Sequence, residues 1–314
     1  METLFHTLYG RESFMLEKRE QIVIFNTDRR QQYLAERYPG IHVKKEHLLE
    51  NFDGSRELGL LIRGADKLIL PTPVKKLLYI PGLMDFIRDN ILINREEGVV
   101  ERLEVWGGIL PEEWIESFRE WNVNWYDFMK MPQVQTENAK ITAEATLMEL
   151  IAHGHYALSA QKILLTGYGK CAKEIALRLL ALGAKVTVLA RKREARMEAK
   201  SDGCQAVDFS YGPEEAYGSA VVVNTVPAMV VTEKILCNLP KDAWVLDIAS
   251  APGGCDKVAA DHYGIPVREA LGLPGRYLVK SSAEILYQRI RHEDSLSEKE
   301  RYGDQKPWIF QILI

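Results

Sequence analysis

Cysteine is scarce in this chain, and the four present, Cys171, Cys204, Cys237 and Cys255, form no CxxC pair. That spacing argues for reduced thiols and against a zinc site or a disulfide framework. The seven histidines show no HExxH or similar arrangement, and His153 and His155 only flank a glycine at an expected helix end, so no metal is expected. No apolar run approaches the ~20 residues that a membrane span requires, which removes a membrane partner. The opening METLFHTLYGRESFMLEKRE carries acids early and lacks both a long apolar core and a small-residue cleavage site. It does not read as a signal peptide, and a cytoplasmic location is expected. A general basic field is missing too, since the net charge is −4 and no local patch suits a nucleic-acid partner.

What the chain does contain is enough apolar sequence, 46% hydrophobic against 27% charged over 314 residues, for about two globular domains. Its most informative stretch runs from Lys162 to Arg193, KILLTGYGKCAKEIALRLLALGAKVTVLARKR. Ile163, Leu164 and Leu165 form a short apolar run suited to a strand buried on both faces. Gly167 then permits a tight turn, Gly169 lets a pyrophosphate approach the amides that open the next helix, and Ala172 takes the third position of a GxGxxA pattern. Ile175, Leu179 and Leu182 recur at helical spacing, Gly183 sits where a left-handed cap belongs, and Lys185 to Ala190 alternates into a second strand. Strand, turn, helix and strand within about 30 residues predict a dinucleotide site, with Gly167, Tyr168, Gly169, Lys170 and Cys171 around the phosphates. At the end of the second strand an NAD-binding domain offers Asp or Glu to the ribose, whereas this chain has Arg191, Lys192 and Arg193. Cations there suit a ribose 2′-phosphate, so NADP is expected rather than NAD.

The rest of the chain falls into place around that stretch. Residues 1–20 read as an extension. Gln21 to Asn26, His42 to Lys44, Lys67 to Leu70, Glu101 to Trp106 and Val123 to Tyr126 read as strands, alternating with helices. Asp28 to Tyr38 is one such helix, and PEEWIESFREW, opened by Pro111 with Trp114, Phe118 and Trp121 down one face, is another. This rhythm predicts an open parallel sheet of flavodoxin-like type, with a domain boundary at residue 137. Met131 to Lys140 reads as a passage between domains, and a long helix with a stripe of Leu147, Leu150 and Ile151 as starting near Thr142. That interdomain helix, over 138–160, could form one wall of a cleft. Residues 161–278 are expected to form a Rossmann domain, completed by strands at Ala220 to Asn224, Trp244 to Ile248 and Pro266 to Leu271. Each ends in a turn of small residues or proline, and ligands bind at the carboxyl ends of such strands, so Thr225, Val226 and Pro227 are expected near the nicotinamide. Over 279–314, a last helix from Val279 to Ile290 is expected to return to the first domain, followed by a charged tail. The fold class predicted is α/β, with two doubly wound parallel-sheet domains.

NTVPAMV from Asn224, LDIASAPGGCD from Leu246, GLPG from Gly272 and NAKITAEATL from Asn138 together resemble the A subunit of dipicolinate synthase. The resemblance covers roughly residues 20 to 295. After GLPG the family continues with alanine, proline, lysine and threonine, whereas this chain has Arg276, Tyr277, Leu278, Val279 and then Lys280, which keeps its place. The resemblance implies oxidation of a dihydrodipicolinate, a lysine-pathway intermediate, to dipicolinate during sporulation, with a nicotinamide cofactor and, as partner, the flavoprotein-like B subunit of dipicolinate synthase. A homodimer is compatible with it. Such a reaction needs hydride removal, loss of a ring proton and a site for two carboxylates. Glu144 and Ser250 are candidates for proton acceptor or substrate anchor, and Lys280 and Arg276 for carboxylate partners. Asn138, Thr142, Pro252, Gly253, Gly254, Gly272, Pro274 and Gly275 would shape the substrate side. Two other readings stay open: a shikimate-dehydrogenase-like enzyme, for which a clear lysine and aspartate pair is missing, and a non-catalytic nucleotide-binding regulatory subunit, disfavoured by the intact Gly167 and Gly169.

Overall fold

The computed structural model describes residues 21–27, 29–38, 40–44, 56–96, 103–159 and 161–296, and the expectations for residues 1–20 and for the tail beyond 296 lie outside them. The chain divides into two compact units, with the break in sequence after Asp127 and with residues 32–37 grouped with the second.

Up to Asp127 the chain runs β1 (Ile22–Asn26), α1 (Arg29–Arg37, most of it grouped with the second unit), β2 (Ile41–Lys44), α2 (Arg56–Arg63), β3 (Lys67–Ile69), α3 (Leu83–Glu96), β4 (Glu104–Gly107), α4 (Glu112–Glu120) and β5 (Asn124–Asp127). The strands pair in the order β2-β1-β3-β4-β5, all parallel, with Val23 opposite both Ile41 and Leu68, and Leu68 opposite Val105. This is the flavodoxin-like order. Central strands covered on both faces need apolar residues throughout, which is why IVIFN carries no alternation. On α4, Trp114 and Phe118 are fully buried, edge to face at 6.0 Å. Trp121 does not share that face: the helix ends at Glu120, and Trp121, at its C-cap, is 39% exposed.

The second unit opens with α5 (Pro132–His153). The stretch expected to be a passage is therefore helical, and the long helix starts ten residues before Thr142. Pro132 occupies the first turn, where its missing N–H is not needed and its fixed φ favours the helix, so a residue that suggested a linker marks a helix start. The buried face also differs from the expected stripe. Leu150 is buried and Leu147 packs partly buried against the core, as expected, but Ile151 is 65% exposed, and Ala139, Ala143 and Thr146 complete the buried face in its place.

Then follow β6 (Lys162–Thr166), α6 (Lys170–Ala181), β7 (Lys185–Leu189), α7 (Arg193–Ser201), β8 (Gln205–Val207), β9 (Val221–Asn224), β10 (Trp244–Asp247), α8 (Lys257–Tyr263), β11 (Val267–Glu269), α9 (Leu273–Tyr277) and α10 (Val279–Ser295). The strand order is β11-β10-β9-β6-β7-β8, again all parallel. Within this unit it is the doubly wound dinucleotide-binding order 3-2-1-4-5-6, with the direction of winding reversing between β6 and β9. The edge strand β8 matches none of the expected strands, and α10 runs past Ile290 to Ser295. Gly183 takes φ +81 just after α6, the left-handed cap its position suggested.

Candidate dinucleotide-binding site

The carboxyl ends of β6, β9 and β10 gather most of the residues that the sequence singled out. After β6, Gly167 adopts φ +78, and its N–H donates to the Leu189 carbonyl at 2.8 Å. A Cβ there would lie 2.8 Å from Val226 Cγ2 and 3.1 Å from Thr225 Oγ1, so both conformation and space require glycine. Gly169 is different. Its φ is −83, and a Cβ would meet nothing within 4 Å. It caps the 12-residue helix α6 and, as glycine, offers the first-turn amides no side-chain acceptor. A pyrophosphate fits this arrangement, held by N–H groups at the positive end of a helix dipole. Ala172 is fully buried where α6 crosses the sheet.

Two side chains of the turn are committed elsewhere. Tyr168 points into the core, with its hydroxyl donating to Asp202 at 2.8 Å, and burial together with that bond raises its pKa. Asp202 in turn pairs with Lys173 at 3.1 Å. The Tyr168 ring therefore packs the domain, and only its backbone can face a nucleotide. Burial also pushes the Cys171 thiol up, by more than its contact with the Thr142 hydroxyl lowers it, and seats it against α5. Lys170 is exposed, with Nζ 2.6 Å from Gln135 Oε1.

At the end of β7, Arg191, Lys192 and Arg193 are all exposed. Their loop is braced by Arg196, whose Nη1 donates to the carbonyls of Ala190 and Arg191, each at 2.7 Å, and to Asp208 at 2.8 Å. The cations thus stand on a fixed turn.

On the other side of β6, polar side chains form a row across the sheet. Thr166, Asn224 and Asp247 end β6, β9 and β10, and register places them side by side. All are essentially buried. Thr166 Oγ1 donates to Asn224 Oδ1 at 2.5 Å, and Asn224 Nδ2 donates to Asp247 Oδ1 at 2.8 Å. Asp247 also accepts from Ala249 N at 3.0 Å and Gly254 N at 2.9 Å. The turn Ser250–Gly254 is closed by Gly253 N donating to Ser250 O at 2.9 Å, with Gly253 at φ +83. Ser250, Pro252 and Pro227 are exposed at its surface. Burial and the Asp247 charge push the Cys255 thiol up to about 12, which removes it as a nucleophile.

The remaining candidates sit on α5, α9 and α10. Asn138 and Thr142 sit on α5, and Thr142 Oγ1 donates to the Asn138 carbonyl at 2.7 Å. Glu144 is exposed with a carboxylate oxygen 3.6 Å from Arg178 of α6, an ion pair between helices. Gly272 takes φ +64 as the N-cap of α9, whose first turn carries Pro274 and Gly275, so the expected GLPG turn is largely helical. Arg276 lies over the Tyr277 ring at 5.5 Å and 3.8 Å from Glu149 Oε1. Lys280 is exposed on the first turn of α10, with Nζ 5.2 Å from the Tyr33 ring centroid. Glu149 is a residue that no motif in the sequence marks. Fully buried on α5, it pairs with Arg268 of β11, accepts from Tyr277 Oη at 2.6 Å and lies 3.4 Å from His153 Nε2. Burial opposes its ionisation, but the bonds from Arg268 and Tyr277 outweigh it and hold the carboxyl below its usual range. Among the described residues no group of three or more His, Cys, Asp or Glu side chains could hold a metal ion, and no helix is long and apolar enough to cross a membrane.

Sheet order and glycine turn define a doubly wound, Rossmann-type fold. The chain is similar to the A subunit of dipicolinate synthase from Bacillus subtilis (strain 168), 31% identical over 149 residues, which are 48% of this chain and 50% of that protein. The match thus spans about half the length of the curated relative. In three dimensions it is similar to the dipicolinate synthase A subunit from Bacillus halodurans, with TM-score 0.72 and 22% identity over 88% of this chain and 98% of that one. A D-lactate dehydrogenase from Salmonella shares the fold, with TM-score 0.58 and 9% identity over 90% of this chain and 99% of that one. No protein-family model matches.

Proposed function

We propose that this chain is an NADP-dependent oxidoreductase subunit that converts dihydrodipicolinate to dipicolinate, in company with a flavoprotein-like B subunit. The observation that carries the reading is the open space at Gly169 at the start of a helix with no side-chain cap, in the same unit as the turns that follow β9 and β10. The sequence similarity to the A subunit of dipicolinate synthase supports the choice of substrate. Arg191, Lys192 and Arg193 favour the 2′-phosphate, since no carboxylate stands among them to repel it.

A bound nicotinamide accepts the hydride. The chain's own residues hold the substrate beside it. Lys280 pairs one carboxylate, and Arg276, partly engaged by Glu149, is the next cation for the other. Loss of the ring proton is driven by aromatisation, so a weak acceptor suffices. The exposed Ser250 hydroxyl can relay the proton to solvent water, whereas Glu144, the stronger base, is paired with Arg178. The test is a purified-protein assay: dihydrodipicolinate and NADP are supplied with and without the B subunit, and NADPH and dipicolinate are both measured. NADPH formed in step with dipicolinate supports the reading; dipicolinate formed at the same rate without a nicotinamide overturns it.

A further inference from the structure

We propose that Asp247 is a positioning residue for the nicotinamide half of the dinucleotide site, acting through Asn224 on the turns that follow β9 and β10. This rests on the dinucleotide reading above. Asp247 is 2% exposed, and its two oxygens accept hydrogen bonds from three N–H donors, the Asn224 amide and the backbones of Ala249 and Gly254. No salt bridge reaches it among the described residues, so these three dipoles are its direct partners, with Lys257, itself paired with Glu269, acting on it only through space. Asn224 carries the constraint onward. Its Oδ1 accepts from Val226 N at 3.1 Å and its Nδ2 donates to Val226 O at 3.1 Å, so both peptide groups flanking Val226 are fixed by one side chain.

The two turns also touch. A Cβ on Gly254 would lie 2.4 Å from Val226 O and 2.6 Å from Ala228 O, and the Gly254 carbonyl accepts from Val230 N at 3.1 Å and Val231 N at 2.9 Å, so the two segments are bonded to each other through their backbones. Shifting the donors that Asp247 holds therefore shifts Thr225–Pro227 and Ser250–Gly254 together. These turns stand at the carboxyl ends of β9 and β10, on the side of the winding reversal away from the adenosine-facing end of β7. An asparagine at 247 cannot reproduce the arrangement. Whichever way its amide is turned, an NH2 group faces either the Gly254 N–H or the two donors on Oδ1.

The experiment titrates NADP and its adenosine bisphosphate fragment into wild type, Asp247→Asn and Thr166→Val, and records melting curves. Asp247→Asn should weaken NADP binding by about tenfold or more while fragment affinity stays within about twofold. Thr166→Val, which removes the hydroxyl donated to Asn224, should show the same pattern with a smaller loss, and it decides the matter if Asp247→Asn does not fold. A merely structural residue would lower the melting temperature and weaken both ligands alike, or neither. That outcome overturns the inference and leaves the dinucleotide reading intact. A wild type that binds neither ligand overturns both.

Discussion

Replacing Gly169 by valine tests whether the open space beside the phosphate turn is ligand space. The backbone there has φ −83 and ψ −174, an extended conformation open to any residue, and the new Cβ meets nothing within 4 Å. As a change at a helix N-cap it costs roughly 0.5–1 kcal/mol. At about 2–4 °C per kcal/mol for a domain of this size, the melting temperature should fall by no more than about 4 °C. Binding should suffer far more, because the isopropyl group occupies the volume in which a phosphate would reach the first amides of α6. A loss of NADP affinity beyond about a hundredfold is expected, equivalent to two or more charge-assisted hydrogen bonds. Gly167→Val is the contrasting control. At φ +78, with Val226 Cγ2 2.8 Å from its Cβ, it incurs left-handed backbone strain and a clash, about 2–4 kcal/mol together. Scanning calorimetry and isothermal titration separate the two effects. Unchanged NADP affinity in Gly169→Val, or a melting temperature lowered as far as in Gly167→Val, would refute the reasoning.

Arg191→Ala should lower NADP affinity more than about tenfold while NAD stays within about twofold, and equal losses in titrations of both cofactors would sink the 2′-phosphate assignment. Lys280→Met should raise the Michaelis constant for dihydrodipicolinate about ten- to a hundredfold with NADP affinity nearly constant; unaltered steady-state kinetics would remove Lys280 from the site. Glu149→Gln should destabilise the second unit by roughly 2–3 kcal/mol, since Arg268 loses a buried carboxylate. The folded-state pKa of Glu149 lies below its ordinary 4.5, so this stabilisation is present above about pH 4.5 and disappears as the pH falls through the lowered value. Urea unfolding at a series of pH values should show wild type and variant converging below pH 4.5, and a constant gap would mean that the ion pair is not its source.

Periodicity sufficed wherever an element is buried on both faces or its turn demands one residue type. The runs IVIFN, KILLT and VVVN have no other stable home than the middle of a parallel sheet, and Gly167 and Gly183 stand where only a left-handed backbone closes the chain. Short edge elements offer no such signal. Gln205–Val207 is three residues long with one of them polar, and its strand conformation depends on pairing with β7 rather than on its own sequence. The start of α5 was hidden differently, because proline marks a break within a helix and a beginning at its first turn, and the local sequence serves both.

The site divides along the same line. A glycine turn is local, so its role is written in consecutive residues. Thr166, Asn224 and Asp247 are joined by bonds that span 58 and 23 residues, and they meet only because β9 lies between β6 and β10. Still, each is the last residue of its strand and follows an apolar run. A polar side chain at that position is desolvated by the sheet and must find partners among its neighbours. Once a doubly wound order is inferred from the glycine turn, the pairing of β6 with β9 and of β9 with β10 follows, and the three polar strand ends are brought to one level. Glu149 obeys the same logic on a helix. It is three residues after Thr146 and one before Leu150, on a face that is otherwise small or apolar, so its charge required cations from elsewhere, and Arg268 and Arg276 supply them.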